Sequence, residues 1–170
     1  KVTKKGVMVG VYTTLDDAFK AVENTSAEDE AVVWLLKDLK FTTTQKYSYG
    51  VYTLDLNGHE LCNEEKCVLS YGKSGGTLTI NDSVGTGKIT GKSGIYAPWT
   101  TLTINGGTIE VEGTAVSSQD STIVINGGSF SGSSAVHTNL CNVTLNSGTF
   151  YGTYSTLDFY NTVFVINGGT

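Results

Sequence analysis

The stretch 101–113, TLTINGGTIEVEG, decides the reading of this chain, because near-copies of it recur downstream. STIVINGGSFSG occupies 121–132 and NVTLNSGTFYG occupies 142–152. Each copy has a short alternating apolar run, an asparagine, a small-residue turn and a second short apolar run. Anchored on the asparagine, the series extends to Asn57, Asn81, Asn105, Asn126, Asn146 and Asn167, at intervals of 20 to 24 residues. A repeat of that length predicts a solenoid.

Around each anchor the pattern has period two, which sends alternate side chains to one face of a strand. Upstream stand Leu54 and Leu56, Leu78 and Ile80, Leu102 and Ile104, Ile123 and Ile125, Val143 and Leu145, and Phe164 and Ile166. After the turn come Ile89, Ile109, Phe130 and Phe150. Ten residues before the next anchor come Ile95, Val116, Val136 and Leu157. The expected fold is an all-β solenoid, a right-handed parallel β-helix with three short strands per coil. About five coils spaced by ~4.8 Å would stack from residue 51 to 170. The asparagines are expected to turn the corner in a left-handed conformation and to hydrogen-bond along the axis.

Residues 1–50 read differently, as a strand–helix–strand capping unit. VMVGVY (7–12) is a strand and TTLDDAFKAVENT (13–25) a helix. Thr14 and Asp17 provide its capping box, and Leu15, Ala18, Phe19 and Val22 its apolar face. AVVWLL (31–36) is a buried strand. Such a unit can cover the open sheet edges at the N-terminal end.

Composition excludes several functions. The 170 residues carry 16 acids and 11 bases, and every base is lysine. Without arginine the chain lacks the usual bidentate reader of phosphate and guanine, so nucleic-acid binding is not expected. No apolar run is long enough to insert in a membrane. Neither cofactor motif nor metal-ligand spacing is found. Cys62 and Cys67 flank NEEK and are read as partly buried thiols rather than a disulfide; Cys141 is the third cysteine. The oligomeric state is not encoded in any pattern. The chain starts KVTKKG and ends VFVINGGT in mid-repeat, so an excerpt from a longer protein is expected.

The pattern YTTLDDAFKAV, VVWLLKDL and YTLDLNGHEL, followed by GGTLTIN and INGGT units, resembles β-helix domains of large secreted or surface-anchored bacterial proteins, notably those of Gram-positive gut and oral species. The resemblance implies an extracellular or cell-surface location and a role in adhesion, display or spacing, with glycans or surface proteins as partners. The wider superfamily includes pectate lyases, polygalacturonases and phage tailspikes. It therefore also implies an alternative, a polysaccharide hydrolase or lyase domain with part of its site outside this chain. The lyases' usual arginine base has no counterpart here.

Two sets of residues are candidates for chemistry. In repeat register Tyr96, Ser117, His137 and Asp158 fall in one outward column, nine residues before successive anchors. The order Ser117, His137, Asp158 imitates a relay in which an acid orients an imidazole and the imidazole activates a hydroxyl. A flat sheet face supplies no oxyanion hole, so an ordinary polar column is the stronger reading. The second set is aromatic. Tyr96, Trp99 and Tyr160, near Asp120 and Asn139, are expected to offer ring faces for sugar stacking. Tyr151, Tyr154 and Phe159 are also read as turn or outward positions. Glu110 and Glu112 share a coil, but the register neighbours of Glu110 are Thr90, Ser131 and Tyr151 rather than carboxylates, and His59 is read as a structural histidine.

Overall fold

The computed structural model describes residues 1–47, 49–71 and 76–170. It shows a parallel β-solenoid of about six turns. The chain enters through an antiparallel hairpin, β1 (Val2–Lys4) and β2 (Val7–Gly10), then a short helix, α1 (Leu15–Ala21). The first turn contains β3 (Ala31–Trp34), β4 (Leu39–Lys40) and β5 (Gln45–Tyr47). The second has β6 (Val51–Asp55) and β7 (Glu60–Tyr71), the third β8 (Thr77–Asn81) and β9 (Lys88–Tyr96). The fourth has β10 (Thr101–Ile104), β11 (Thr108–Val111) and β12 (Thr114–Gln119). The fifth has β13 (Thr122–Ile125) and β14 (Ser129–Asn139), and the sixth β15 (Asn142–Leu145) and β16 (Thr149–Tyr160). β17 (Val163–Ile166) pairs with β15 in register.

The alternation written in the sequence is the register found. Leu102 pairs with Leu78 and Ile123, and Ile104 with Ile80 and Ile125. These side chains are buried to 1% exposure or less, forming continuous aliphatic columns. Each such residue contributes about 1.5–3 kcal/mol by burial. A second column runs Leu61, Ile89, Ile109, Phe130, Phe150, where the two phenylalanine rings stack at 5.1 Å. A third runs Leu69, Ile95, Val116, Val136, Leu157.

Three features depart from the sequence reading. First, the parallel ladder starts before residue 51: β3 pairs with β6, and β4 and β5 pair with β7, so Ala31–Tyr47 already forms a turn of the solenoid. Ahead of it lies a hairpin that the sequence reading took as one strand. Lys5 (φ 48) and Gly6 (φ 73) are both left-handed, the geometry of a two-residue hairpin turn. Second, the second and third strands of a coil merge into one long strand in β7, β9, β14 and β16. In the fourth coil they separate at Glu112 and Gly113. A glycine stands at this bend where the neighbouring coil leaves no room for a side chain: a Cβ at Gly132 would collide with the Gly113 carbonyl oxygen.

The third departure concerns the asparagines. Asn105, Asn126, Asn146 and Asn167 each donate from Nδ2 to Oδ1 of the asparagine one coil earlier, at 2.7–2.8 Å, with Asn81 as the first acceptor. Asn57 is not in this ladder. Leu54 pairs with Ile80, so Asp55 stands opposite Asn81, while Asn57 donates to the Leu35 carbonyl at 2.9 Å. The ladder asparagines do not make the left-handed bend either. Gly107, Gly128, Gly148 and Gly169 make it, two residues later (φ 90 to 132). Asn105, Asn126, Asn146 and Asn167 stand one residue past their strands, outside the left-handed region, with their amides bonded in line on the exposed side.

The helix keeps its expected apolar face but is shorter than 13–25 and forms only half of the expected capping box, because the Asp17 carboxylate accepts from the Thr14 hydroxyl and not from its amide. Thr14 Oγ1 accepts from the Asp17 amide at 3.1 Å, and Leu15, Ala18, Phe19 and Val22 are buried. The Phe19 ring lies 5.9 Å from Tyr52, whose backbone belongs to β6. No helix among the described residues is long and apolar enough to cross a membrane.

Candidate functional site: a corner ladder beside the first strand

The corner between the third and first strands is built the same way in four successive coils. Trp99 (φ 52), Asp120 (φ 51), Leu140 (φ 55) and Asn161 (φ 45) are all left-handed. The amide of Trp99 donates to the Gln119 carbonyl, that of Asp120 to Asn139, and that of Leu140 to Tyr160, at 2.8–3.0 Å. The next residue, Thr100, Ser121, Cys141 or Thr162, bonds from its side chain to the carbonyl two residues back, at 2.8–3.2 Å. At Gln119, Asn139 and Tyr160 that bond gives the carbonyl a second donor beside the amide of the preceding coil, a local bond typical of hydroxyl-bearing turn residues. Sequence reasoning missed this device. Its signal is a hydroxyl or thiol residue five places before Asn105, Asn126, Asn146 and Asn167.

A left-handed conformation is cheap for Asp or Asn and costs Trp or Leu about 1–2 kcal/mol. Trp99 and Leu140 accept that cost with half their surface exposed, 52% and 51%. They rim an open groove of about 420 Å³. Asp120 sits between them, and Thr101, Thr122 and Asn142, register neighbours at the starts of β10, β13 and β15, line the strand side. Gln119 Nε2 donates to Asp120 Oδ2 at 3.0 Å.

The five residues singled out for ligand contact are therefore divided. Trp99 and Asp120 share the groove. Tyr96, Asn139 and Tyr160 are not among its lining residues. Tyr160 stands opposite Asn139 in register, and its ring is tilted over His137 with centroids 6.3 Å apart. Trp99 and Tyr160 thus belong to different patches, three coils apart.

The polar column has the register read from the sequence: Tyr96 beside Ser117, Ser117 beside His137, His137 beside Asp158. His137 Nδ1 lies 2.8 Å from Asp158 Oδ2. Among the described residues no hydrogen bond joins Ser117 to His137, so two of the three groups are linked. Glu110 and Glu112 are both exposed, and Glu112 pairs with Lys92 at 2.7 Å.

Elsewhere, His59 Nδ1 lies 3.2 Å from Asp38 Oδ1. The Glu60 amide, with His59 second, holds the Asp38 carboxyl below the usual carboxylate range. All three cysteines are free thiols. Burial pushes the Cys67 thiol up to about 11, and its Sγ donates to the Leu69 and Gly94 carbonyls. No group of three or more His, Cys, Asp or Glu among the described residues is placed to hold a metal ion. No protein-family model, curated protein or solved structure matches the chain.

Proposed function

We propose that this chain is a non-enzymatic secreted or cell-surface module for adhesion, display or spacing, which recognises carbohydrate at the Trp99–Asp120–Leu140 corner. One observation carries the reading: an indole held exposed in a strained backbone conformation beside a carboxylate and a row of hydroxyls. Strained residues collect at ligand sites. A flat apolar ring with polar groups around it suits the face and edge of a sugar. Stacked coils with continuous ladders suit a spacer, since each coil rests on its neighbour. The resemblance to surface β-helix domains supports the location. A glycan array tests the proposal: specific binding that disappears in Trp99→Ala is expected, and an array without any Trp99-dependent signal would overturn it.

A carbohydrate-active enzyme domain is the second reading, and the bond between His137 and Asp158 favours it. Polysaccharide turnover abolished by Asp158→Asn would place it first.

A further inference from the structure

The groove has a direction and a charge, and together they narrow its ligand. Its strand side is lined by Thr77, Thr101, Thr122 and Asn142, which occupy one register position on four consecutive coils. Four coils span about 14 Å along the axis. Its rim, Trp99, Asp120 and Leu140, also advances one residue per coil. The groove is thus longest along the solenoid axis, across the strands.

Its charge is set by where the ionised side chains fall. From residue 113 to 170 the sequence holds two of them, Asp120 and Asp158, and no lysine. Among the described residues Asp120 is the only charged group lining the groove. Among the described lining residues a uronate, sialate or sulfated chain would meet one carboxylate and no cation. An anion held without a countercharge loses hydration with nothing in return. Hydroxyls of an uncharged sugar, by contrast, find acceptors in Asp120 and Asn142 and paired donor–acceptor groups in the threonines.

We infer that the groove takes a neutral, unbranched glycan lying parallel to the solenoid axis, and that it rejects acidic polysaccharides. This rests on the carbohydrate reading above and sets the ligand apart from the polyuronates cut by enzymes of similar architecture. The indole of Trp99 stacks one sugar ring, Asp120 accepts from hydroxyls of the next, and Leu140 packs against the chain beyond it.

The test uses the whole chain on an array sorted into neutral and acidic glycans, with Trp99→Ala and Leu140→Ala beside the wild type. Neutral oligosaccharides should give the signal. It should rise with oligomer length until the four coils are spanned, and fall at least tenfold in Trp99→Ala. Added salt should leave it unchanged, since no ion pair is screened. Trp99-dependent binding of acidic glycans alone would overturn this inference and leave the carbohydrate reading standing. Binding of monosaccharides as tight as that of longer oligomers would overturn the axial orientation. Absence of Trp99-dependent binding to either group would overturn both.

Discussion

His137 Nδ1 and Asp158 Oδ2 stand 2.8 Å apart although 21 residues of chain separate them, about one turn of the solenoid. The bond fixes a tautomer. With the carboxylate as acceptor, the neutral imidazole must carry its proton on Nδ1. Nitrogen NMR of the neutral imidazole should report that tautomer in the wild type and lose it in Asp158→Ala. The pair is part-exposed, so the same substitution should cost no more than about 1 kcal/mol. A proton on Nε2 in the wild type would contradict the assignment.

The asparagine ladder should lose stability in proportion to the bonds broken. Asn126→Ala deprives Asn105 of a donor and Asn146 of an acceptor. Water reaches these exposed amides, so the expected cost is about 1 kcal/mol, seen in urea unfolding. Asn167→Ala breaks one bond and should cost less. Asn57→Ala breaks a bond to the first turn and leaves the ladder intact.

Two glycines separate packing from composition. Gly132→Ala drives a methyl group into the Gly113 carbonyl and should destabilise the fold by about 1–3 kcal/mol. A Cβ at Gly106 meets nothing within 4 Å, so Gly106→Ala should unfold at the wild-type denaturant concentration or slightly above it.

Cys67 should alkylate slowly near neutral pH and faster as pH approaches about 11, because the thiolate is the nucleophile. The sign for stability follows. With the folded value above the ordinary thiol value of 9.0, the folded state holds more protons between the two. Stability from this group is therefore full below pH 9 and declines as pH rises towards about 11. Cys67→Ser should flatten that alkaline decline.

Trp99 sets binding against stability. Trp99→Asn keeps a residue that tolerates the left-handed corner and removes one that resists it. Thermal unfolding should shift upward, by about 1 kcal/mol, while glycan binding is lost. A variant that is both less stable and still able to bind would contradict the corner's proposed role.

Much of the architecture could be read from period and spacing, because a solenoid repeats the same physical problem every turn. Leu102 and Ile104 had to face inward, and the interval between copies had to set their neighbours. The same arithmetic placed Ser117, His137 and Asp158 on adjacent coils. It failed at Asn57, where the alternating pattern reads equally well two residues away and the ladder aligns Asp55, not Asn57, with Asn81. It also failed at the corner. Trp, Asp, Leu and Asn share a backbone conformation there but no side-chain property, so residue type conceals their equivalence. Residue type alone groups Tyr160 with Trp99 for the same reason; one position of offset and three coils of height move it to His137.

That lack of shared side-chain character at 99, 120, 140 and 161 has a consequence of its own. The corner's amide bonds and the inward hydroxyl or thiol after it hold the bend whatever stands on the Cα. Each turn thus offers one address whose occupant can be exchanged without redrawing the backbone around it. A surface of this kind can change what it greets through single substitutions at fixed pitch, with no loop to lengthen and no register to renegotiate.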